Sequence, residues 1–248
     1  MIFNQHEFDI RLEWGLHGVE LLAPISDVVI IVDILSFSTS VDIATGNGAK
    51  IYPYRWKDET AIAYAESVHA ELADFTRNQT DSYSLSPTSL VSIPKNTSLV
   101  LPSPNGSVLS LSTGNTHTIC GSLRNAKAVA TYAMKLGKTI AIIPSGERWQ
   151  DGLLRPSFED LIGAGAIIYF LKGNLSPESK AALSAFLSVK DNLTDEIMRC
   201  SSGKELIDRG FINDVYLASE FNKSNTVPIL QDGAYVGVYL PVSTKSDS

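Results

Sequence analysis

The sequence predicts a layered α/β fold. Short apolar runs alternate with helical patterns along the chain, and the run at 27–35 (DVVIIVDIL) is β-branched and almost continuously apolar. Alternation of this kind is typical of strands flanked by helices, and a continuous apolar run is typical of a strand covered on both faces. The 248 residues fit one large domain or two small ones. We predict a single domain over 1–248, with a subdivision near 75–86 as the alternative.

The predicted elements follow in chain order. Strands are expected at 27–35, 50–54, 98–101, 117–120 and 138–143, and an apolar β-like tail is expected at 226–240. Helices are expected at 38–45, 58–73, 124–136, 157–171, 177–189, 194–199, 203–208 and 213–221, with one further short helix after the loop at 103–107. The polar stretch 75–86 (FTRNQTDSYSLS) is predicted to be a mobile loop, and 243–248 to be frayed.

Composition and charge limit the function classes. A net charge of −7 and a pI near 5.1 argue against nucleic acid, which is bound by clustered Lys and Arg, but they allow a small anionic substrate. The longest apolar run, 28–35, contains Asp33 and is too short to span a bilayer, so no membrane association is expected. Cys120 and Cys200 match no zinc or redox spacing and are predicted to be reduced core thiols. We therefore expect a cytoplasmic protein, and the sequence leaves a homo-oligomer open.

Polar residues cluster where four predicted strands end. In open α/β sheets ligands bind outside the carboxyl ends of the strands, and helix N-termini there attract phosphate or carboxylate. If the strands are adjacent and parallel, these loops converge on one rim and bind an anion. The alternative is that the serines are N-caps and the Asn-Gly pair is an ordinary turn. The four sets are Asp33 with Ser36, Ser38 and Thr39; Ser103 with Asn105 and Gly106; Gly121 with Ser122 and Asn125; and Ser145, Gly146, Glu147 and Arg148.

Asp33 is the sharpest single signal. A carboxylate at the end of an apolar strand is costly to bury unless it is paired, caps a helix or binds a metal. We interpret Asp33 as a metal ligand or catalytic group, with a cap on the following helix as the alternative.

A second dense region lies at 146–165 (GERWQDGLLRPSFEDLIGAG). Mg²⁺ sites usually contain one or two carboxylates, so Glu159 or Asp160 is expected to act with Asp33 as ligand or base, although acids in a first helical turn also favour the helix dipole. Arg148 and Arg155 suit bidentate capture of an acidic group, with a solvated position as the alternative.

Absent motifs narrow the mechanism. The sequence has no Walker loop, dinucleotide fingerprint, HExxH or GxSxG, and its histidines form no metal-ligand spacing. Asp33 also lacks a second Asp two residues on, as haloacid-dehalogenase-type phosphatases have. A metal-activated water is therefore easier to support than a covalent intermediate.

Six blocks in order resemble one known family, that of 2-phosphosulfolactate phosphatase. They are VVIIVDILSFSTSVDIATGNGA (28–49), LSPTSL (85–90), LPSPNGS (101–107), GSLRNAKAVA (121–130), EDLIGAGAI (159–167) and SSGKELIDRGFINDV (201–215). The resemblance implies a three-layer α/β/α fold with a mixed, largely parallel sheet. It also implies a Mg²⁺-dependent phosphatase, since the named member hydrolyses 2-phospho-3-sulfolactate in coenzyme M biosynthesis, and it makes related 2-phospho-hydroxy acids candidate substrates.

Two segments depart from the family pattern. Members of the coenzyme M pathway often carry Arg where this sequence has Ser36-Phe37, and a GERxG-like segment where it has 73–77. Arg148, Arg155 and Glu147 resemble a subgroup's own replacement set.

The resulting hypothesis is phosphate monoester hydrolysis. Asp33 and Asp160 or Glu159 would hold Mg²⁺, Glu147 would be the general base, and Arg148 or Arg155 would grip the acidic arm of the substrate. The loops at 38–39, 105–106 and 121–122 would cradle the phosphate. Two rivals stay open: Asp33 as a covalent nucleophile, and an anion-binding homologue that has lost catalysis.

Overall fold

The computed structural model describes residues 2–77 and 82–240. The predicted mobile loop at 75–86 thus lies partly outside the described residues, and the predicted frayed tail at 243–248 lies wholly outside them. The strands are β1 (Ile10–Leu12), β2 (Val28–Val32), β3 (Lys50–Tyr54), β4 (Glu71–Leu72), β5 (Ser98–Pro102), β6 (His117–Gly121), β7 (Ile140–Pro144), β8 (Glu147–Arg148), β9 (Leu154–Arg155), β10 (Thr226–Gln231) and β11 (Ala234–Tyr239).

The α-helices alternate with these strands and then fill most of the last third of the described chain. They are α1 (Gly15–Leu22), α2 (Phe37–Gly46), α3 (Thr60–Ser67), α4 (Gly106–Ser110), α5 (Ala126–Leu136), α6 (Phe158–Ile168), α7 (Pro177–Val189), α8 (Leu193–Arg199), α9 (Ser201–Asp208) and α10 (Ile212–Ser219). Among the described residues, no helix is both long and apolar enough to cross a membrane.

One nine-stranded sheet runs through the molecule in the order β1-β7-β2-β6-β10-β11-β3-β5-β4. Its strands pair in parallel at both ends, and the antiparallel hairpin β10–β11 lies between the two parallel parts. Asp232 and Gly233 join this hairpin with φ values of 51° and 80°, as a two-residue turn with positive φ at both positions requires. The predicted mixed, largely parallel sheet is confirmed.

The expected convergence of four adjacent, parallel strand ends is correct for three strands only. β7, β2 and β6 are parallel neighbours. β5 lies in the other parallel part and runs the opposite way, because the pairings β6–β10, β10–β11 and β11–β3 each reverse the direction. The loop after β5 therefore reaches the end of β2 through α4 rather than along a common rim.

Alternate residues of β2 face two different helical layers, which makes the fold a three-layer one. Val28, Ile30 and Val32 belong to the core that contains residues of α5 and α6, whereas Val29 and Ile31 pack with residues of α1 and α4. All five side chains have no exposed surface. The continuous apolar run in the sequence is thus explained by burial on both faces.

The predicted helix at 58–73 is too long. α3 ends at Ser67, His69 follows with a positive φ of 51°, and the chain returns to pair β4 with β5. The left-handed residue ends the helix, and a two-residue edge strand is too short to give a periodic signal in the sequence.

Candidate active site

Asp33 lies directly after β2, where the N-termini of two helices meet. Its Oδ1 accepts the Phe37 N–H of α2 at 3.3 Å, and its Oδ2 accepts the Gly106 N–H of α4 at 2.9 Å. The carboxylate therefore occupies the position that a bound anion takes at a helix N-terminus. The capping role that the sequence offered as an alternative is present, and it covers two helices rather than one.

Gly106 is required for this contact. A Cβ atom at this position would lie 2.3 Å from Cδ1 of Phe37 and 2.8 Å from Oδ2 of Asp33. Only glycine lets α4 approach the Asp33 carboxylate closely enough for its first amide to donate.

The charge on Asp33 is only partly compensated. Burial raises the pKa of Asp33 to about 6, and repulsion by Glu159 acts in the same direction. The two backbone amides and the positive charge of Arg77 lower the pKa but do not outweigh burial. At neutral pH Asp33 is mostly an anion held in an unfavourable environment.

Glu147 follows β7 and shares this environment. Its Oε2 accepts a hydrogen bond from Nδ2 of Asn105 at 3.1 Å. Burial raises the pKa of Glu147 to about 7, and repulsion by Asp33 and Glu159 adds to the shift. Near neutral pH this carboxyl group is present in both protonation states, which suits an acid or base in proton transfer.

Asp160 ties three loops together. Its Oδ1 accepts the Ile34 N–H at 2.7 Å, and its Oδ2 accepts the Gly146 N–H and the Ser157 hydroxyl, both at 2.8 Å. Burial, followed by repulsion from Asp33 and Glu159, raises the pKa of Asp160 well above its ordinary value. These three hydrogen bonds give Asp160 a positioning role, and the metal or catalytic role predicted for it stays a prediction.

Glu159 is the fourth member of what we call the carboxyl cluster, which consists of Asp33, Glu147, Glu159 and Asp160. It is buried, with 2% of its surface exposed, and it lines a cavity of about 360 Å³ together with Arg155 and Cys200. Burial and the nearby Glu159 charge raise the pKa of the Cys200 thiol to about 12, so this cysteine is inert at neutral pH.

The carboxyl cluster does not form a ready-made metal cage. In the described part of the chain, no three His, Cys, Asp or Glu side chains are grouped so that they hold a metal ion. Mg²⁺ usually takes only one or two carboxylates and completes its shell with water and substrate oxygens. Asp33 fits that smaller demand, because each of its oxygens accepts one amide and keeps a second lone pair. Glu159 is the neighbouring buried carboxyl group whose charge acts on Asp33. Asp160 fits it less well, since its oxygens already accept three hydrogen bonds.

Arg77 is a site residue that the sequence analysis did not find. Its Nη2 donates to the hydroxyl of Ser36 at 2.7 Å, three residues beyond Asp33, and its Nη1 contacts Oδ2 of Asp214 at 2.5 Å. Only 9% of the Arg77 side chain is exposed. Its positive charge thus lies beside Ser36, directly before the N-terminus of α2. Arg77 lies in the polar stretch that was predicted to be a loop, so no periodic signal marked it.

Two further cations lie near Arg77. The pKa of Lys57 is lowered by burial and then by repulsion from Arg77 and Arg209. The three positive groups therefore act on one another, and Arg77 also acts on Asp33 of the carboxyl cluster.

Asp214 explains why two of the sequence blocks occur together. Its Oδ1 accepts hydrogen bonds from the Ser86 hydroxyl at 2.6 Å and from the hydroxyl and amide of Thr88 at 2.7 and 3.1 Å. The block at 85–90 is thus held against the block at 201–215, and Arg77 is held against both.

Several residues predicted to bind phosphate make hydrogen bonds within their own loops. The Ser38 hydroxyl accepts the Asp33 N–H at 2.8 Å, and the Thr39 hydroxyl donates to the Ile34 carbonyl at 2.8 Å. Both side chains are fully buried. Ser103 is buried at the end of β5, and its amide donates to the Tyr54 carbonyl at 3.0 Å.

The loop after β6 is also internally satisfied. Oδ1 of Asn125 accepts the amide and the hydroxyl of Ser122 at 2.8 and 3.1 Å. A Cβ atom on Gly121 would lie 2.5 Å from Cδ1 of Ile167 and 2.8 Å from Cγ2 of Ile30, so this glycine serves close packing between sheet and helix. Phosphate binding by Gly121, Ser122 and Asn125 stays a prediction.

The β8–β9 hairpin carries the two predicted arginines. Arg148 is exposed and donates to the Gly152 carbonyl at 2.9 Å. Arg155 lies with its guanidinium 5.6 Å from the centre of the Trp149 ring, and its positive charge lowers the pKa of Glu147. Arg155 therefore belongs to the electrostatic surroundings of the carboxyl cluster, and Arg148 lies farther out.

Carboxyl groups with raised pKa values at the strand ends of a three-layer α/β/α fold are typical of an enzyme of the α/β class. The model of the 2-phosphosulpholactate phosphatase family matches residues 18–233. A protein of Carboxydothermus hydrogenoformans named probable 2-phosphosulfolactate phosphatase is 33% identical over 218 residues, which cover 84% of this chain and 89% of that protein. The 2-phosphosulfolactate phosphatase of Methanothermobacter thermautotrophicus is 30% identical over 137 residues, which cover 54% and 57% of the two chains. The chain belongs to the 2-phosphosulfolactate phosphatase family and is thus a member of a family of phosphatases.

Proposed function

We propose that this protein hydrolyses a small acidic phosphate monoester at the carboxyl cluster. One observation carries the proposal: the buried Asp33, which accepts amides from two helices, and the half-buried Glu147, which accepts a hydrogen bond from Asn105, repel each other, and their pKa values are about 6 and about 7. Arg77 acts on the first carboxyl group and Arg155 on the second. Carboxyl groups with pKa values shifted toward neutrality, at the ends of strands in an α/β sheet, are typical of an active site.

Hydrolysis moves the phosphoryl group from the substrate oxygen to water. A P–O bond forms to the water oxygen, the P–O bond to the organic part breaks, and the leaving oxygen gains a proton. Glu147 takes the proton from the attacking water, because its pKa of about 7 gives it both proton affinity and an ionised form at neutral pH. Asn105 orients the Glu147 carboxylate through its hydrogen bond.

Mg²⁺ is the cofactor we propose, on the basis of the oxygen-rich donor set and the family resemblance. Asp33 and Glu159 would hold it, with Asp160 fixing the loops around them. When bound, the ion would polarise the phosphoryl group and lower the pKa of a coordinated water. The ion would also offset the repulsion within the carboxyl cluster.

The substrate we propose is 2-phosphosulfolactate or a related 2-phospho-hydroxy acid. The names of the relatives support this class, and so do the two groups of cations, Arg77 with Lys57 and Arg209, and Arg148 with Arg155. Arginines that act on two members of the carboxyl cluster suit a substrate with a phosphate and at least one further acidic group. Two buried, unpaired cysteines support a reducing compartment, and we propose the cytoplasm.

A panel of phospho-acids with and without EDTA tests this proposal on the wild type and on Asp33→Asn. We expect Mg²⁺-dependent phosphate release in the wild type and a loss of about a thousandfold in Asp33→Asn. Asp195→Asn, which removes an exposed carboxylate on α8, is the matched control and should keep full activity. Undiminished activity in Asp33→Asn would remove the centre of the proposal.

The stereochemical course at phosphorus separates direct water attack from a covalent intermediate. With a substrate made chiral at phosphorus by oxygen isotopes and hydrolysed in isotopically labelled water, direct attack is a single displacement and inverts the configuration. Retention would mean two displacements and would support Asp33 as a covalent nucleophile.

A further inference from the structure

A cavity of about 530 Å³ opens beside the carboxyl cluster, between α1, α4 and the β8–β9 hairpin. Asn105 and Glu147 form part of its wall and are hydrogen-bonded to each other, so the cavity begins at the proposed general base. Much of the remaining wall is apolar: it contains Trp14, Pro104, Val108, Leu109, Leu153 and Leu154.

The Ser145 hydroxyl indicates that the cavity binds a ligand with a polar group. It lines the cavity, 4% of its surface is exposed, and its hydroxyl is one of two buried side-chain atoms without a hydrogen-bond partner among the described residues. An unpaired buried hydroxyl is costly, so one that lines a cavity points to a partner supplied by a ligand.

The first turn of α1 faces the same cavity. Residues 14–17 line it, and among the described residues no side chain caps this N-terminus. The first turn also contains no acidic residue, so its N–H groups and partial positive charge are available to a carboxylate. The exposed Arg148 guanidinium adds a positive charge to the wall.

The size of the cavity and its apolar wall together restrict what it fits. A volume of about 530 Å³ lies within the range of pockets that enclose drug-sized molecules. A three-carbon sulfonated acid would leave most of this space empty and would place a strongly hydrated group against Leu153, Leu154 and Val108.

We propose that the cavity binds the organic part of the substrate, and that this part is a 2-hydroxy acid with an apolar side group larger than three-carbon acids provide. The inference rests on the proposed function for the reaction, and it names the substrate class. The carboxylate of the acid lies at the N-terminus of α1 with Ser145, the apolar group lies against the hairpin, and the phosphoryl group lies at Glu147 and Asp33.

Calorimetric binding of the product-like acids lactate, sulfolactate and 3-phenyllactate tests the inference without any need for catalysis. We expect 3-phenyllactate to bind at least about tenfold more tightly than lactate or sulfolactate, because its ring buries apolar surface. Val108→Phe fills the cavity and should abolish the preference. Ile62→Phe introduces the same aromatic ring at an exposed position of α3 and should retain it. Equal binding of the three acids, or an unchanged preference in Val108→Phe, would overturn the inference.

Ser145→Ala separates a binding role from a structural one. With no partner to lose, the ligand-free variant should unfold at or above the wild-type temperature, while 3-phenyllactate should bind about fivefold more weakly. A lower unfolding temperature with unchanged affinity would contradict the role of Ser145.

The inference and the proposed function can fail separately. Tight 3-phenyllactate binding without phosphate release from any ester would contradict the proposed hydrolysis and leave the inference about the cavity intact. Phosphate release from small esters, without preferential binding of the larger acid, would contradict the inference about the cavity and leave the proposed hydrolysis intact.

Discussion

Two regions of the molecule contain buried acidic residues, and the negative charge is compensated to different extents in the two. In the first, which we call the paired cluster and which consists of Asp42, Arg124, Glu220 and Ser224, each oxygen of Asp42 has a donor. Oδ2 accepts from Nε of Arg124 at 3.0 Å and Oδ1 from the Ser224 hydroxyl at 2.7 Å, while Arg124 also pairs with Glu220. In the carboxyl cluster, Asp33 receives two backbone amides, and no cation of the described residues forms an ion pair with it.

The difference separates structural acids from acids available for chemistry. Burial raises the pKa of Asp42 as it does that of Asp33, but in the paired cluster Ser224 and Arg124 act against the shift. In the carboxyl cluster the neighbouring acids act with burial, and Glu147 reaches a pKa of about 7. In the paired cluster, hydrogen-bond and ion-pair partners stabilise the ionised carboxylate. In the carboxyl cluster, the negative charge stays unfavourable until a cation or a proton binds.

The largest effect is expected on catalysis from Glu147→Gln. Because the amide cannot take a proton, we expect kcat to fall by about a thousandfold. The wild-type profile of kcat against pH should rise through a pKa near 7, and the residual activity of the variant should lack that rise. Glu20→Gln, at an exposed position of α1, is the control. If kcat of the variant still rises with pH near 7, the general base is a group other than Glu147.

The next largest effect should come from breaking the paired cluster. Arg124→Met leaves Asp42 buried without its cation, and we expect the free energy of unfolding to fall by about 3 kcal/mol. The kcat of the folded fraction should stay unchanged. Urea unfolding measures the loss, with Arg199→Met, whose ion pair on α8 is exposed, as a control that changes by less than about 1 kcal/mol. If Arg124→Met instead lowers kcat without lowering the free energy of unfolding, the paired cluster contributes to catalysis together with the carboxyl cluster.

The two regions also differ in what the sequence revealed. The five central strands predicted at 27–35, 50–54, 98–101, 117–120 and 138–143 are all confirmed, because their apolar runs report burial directly. The insertion of β10 and β11 between them was not predictable, since strand order depends on contacts far apart in sequence. β1 and the β8–β9 hairpin are too short to leave a pattern.

The sequence analysis singled out the acidic members of the candidate site and Arg155, and their roles stay predictions. Asp33 and Glu147 were noticed because a charge at the end of an apolar strand is conspicuous. Arg77 was not, because an arginine in a polar stretch is indistinguishable from a solvated one until Asp214 and Ser36 are folded against it. The double cap on Asp33 likewise needs the approach of Gly106, 73 residues away.

A smaller effect is expected in the pH dependence of stability. The pKa of Glu147 in the folded protein, about 7, is above its ordinary value, so the folded state binds this proton more tightly than the unfolded state. The resulting stability is fully present below the unfolded pKa, about 4.3, and is lost as the pH rises through 7. The difference between these two pKa values corresponds to about 4 kcal/mol, and solvent screening at the half-buried Glu147 reduces it. Relative to the wild type, Glu147→Gln should therefore gain about 2 kcal/mol between pH 4 and pH 8.

Unfolding of both proteins at matched pH values measures this difference, with EDTA present so that no metal offsets the repulsion. If the difference in free energy of unfolding between the two proteins is constant from pH 4 to pH 8, the pKa of Glu147 is the same in the folded and unfolded states. The paired cluster provides the internal comparison, because Arg124→Met should lower stability more at high pH, where Asp42 is ionised, than at low pH.

The smallest effect distinguishes a structural loop from a phosphate cradle. Ser122 donates twice to Asn125, so Ser122→Ala should cost about 1 kcal/mol of stability and leave KM for the substrate unchanged. Ser188→Ala, which removes an exposed hydroxyl on α7, should change stability by less than about 0.5 kcal/mol. If KM instead rises tenfold while the free energy of unfolding is unchanged, the loop after β6 contacts the phosphate, as the sequence pattern predicted. The carboxyl cluster and this loop would then bind the same ligand.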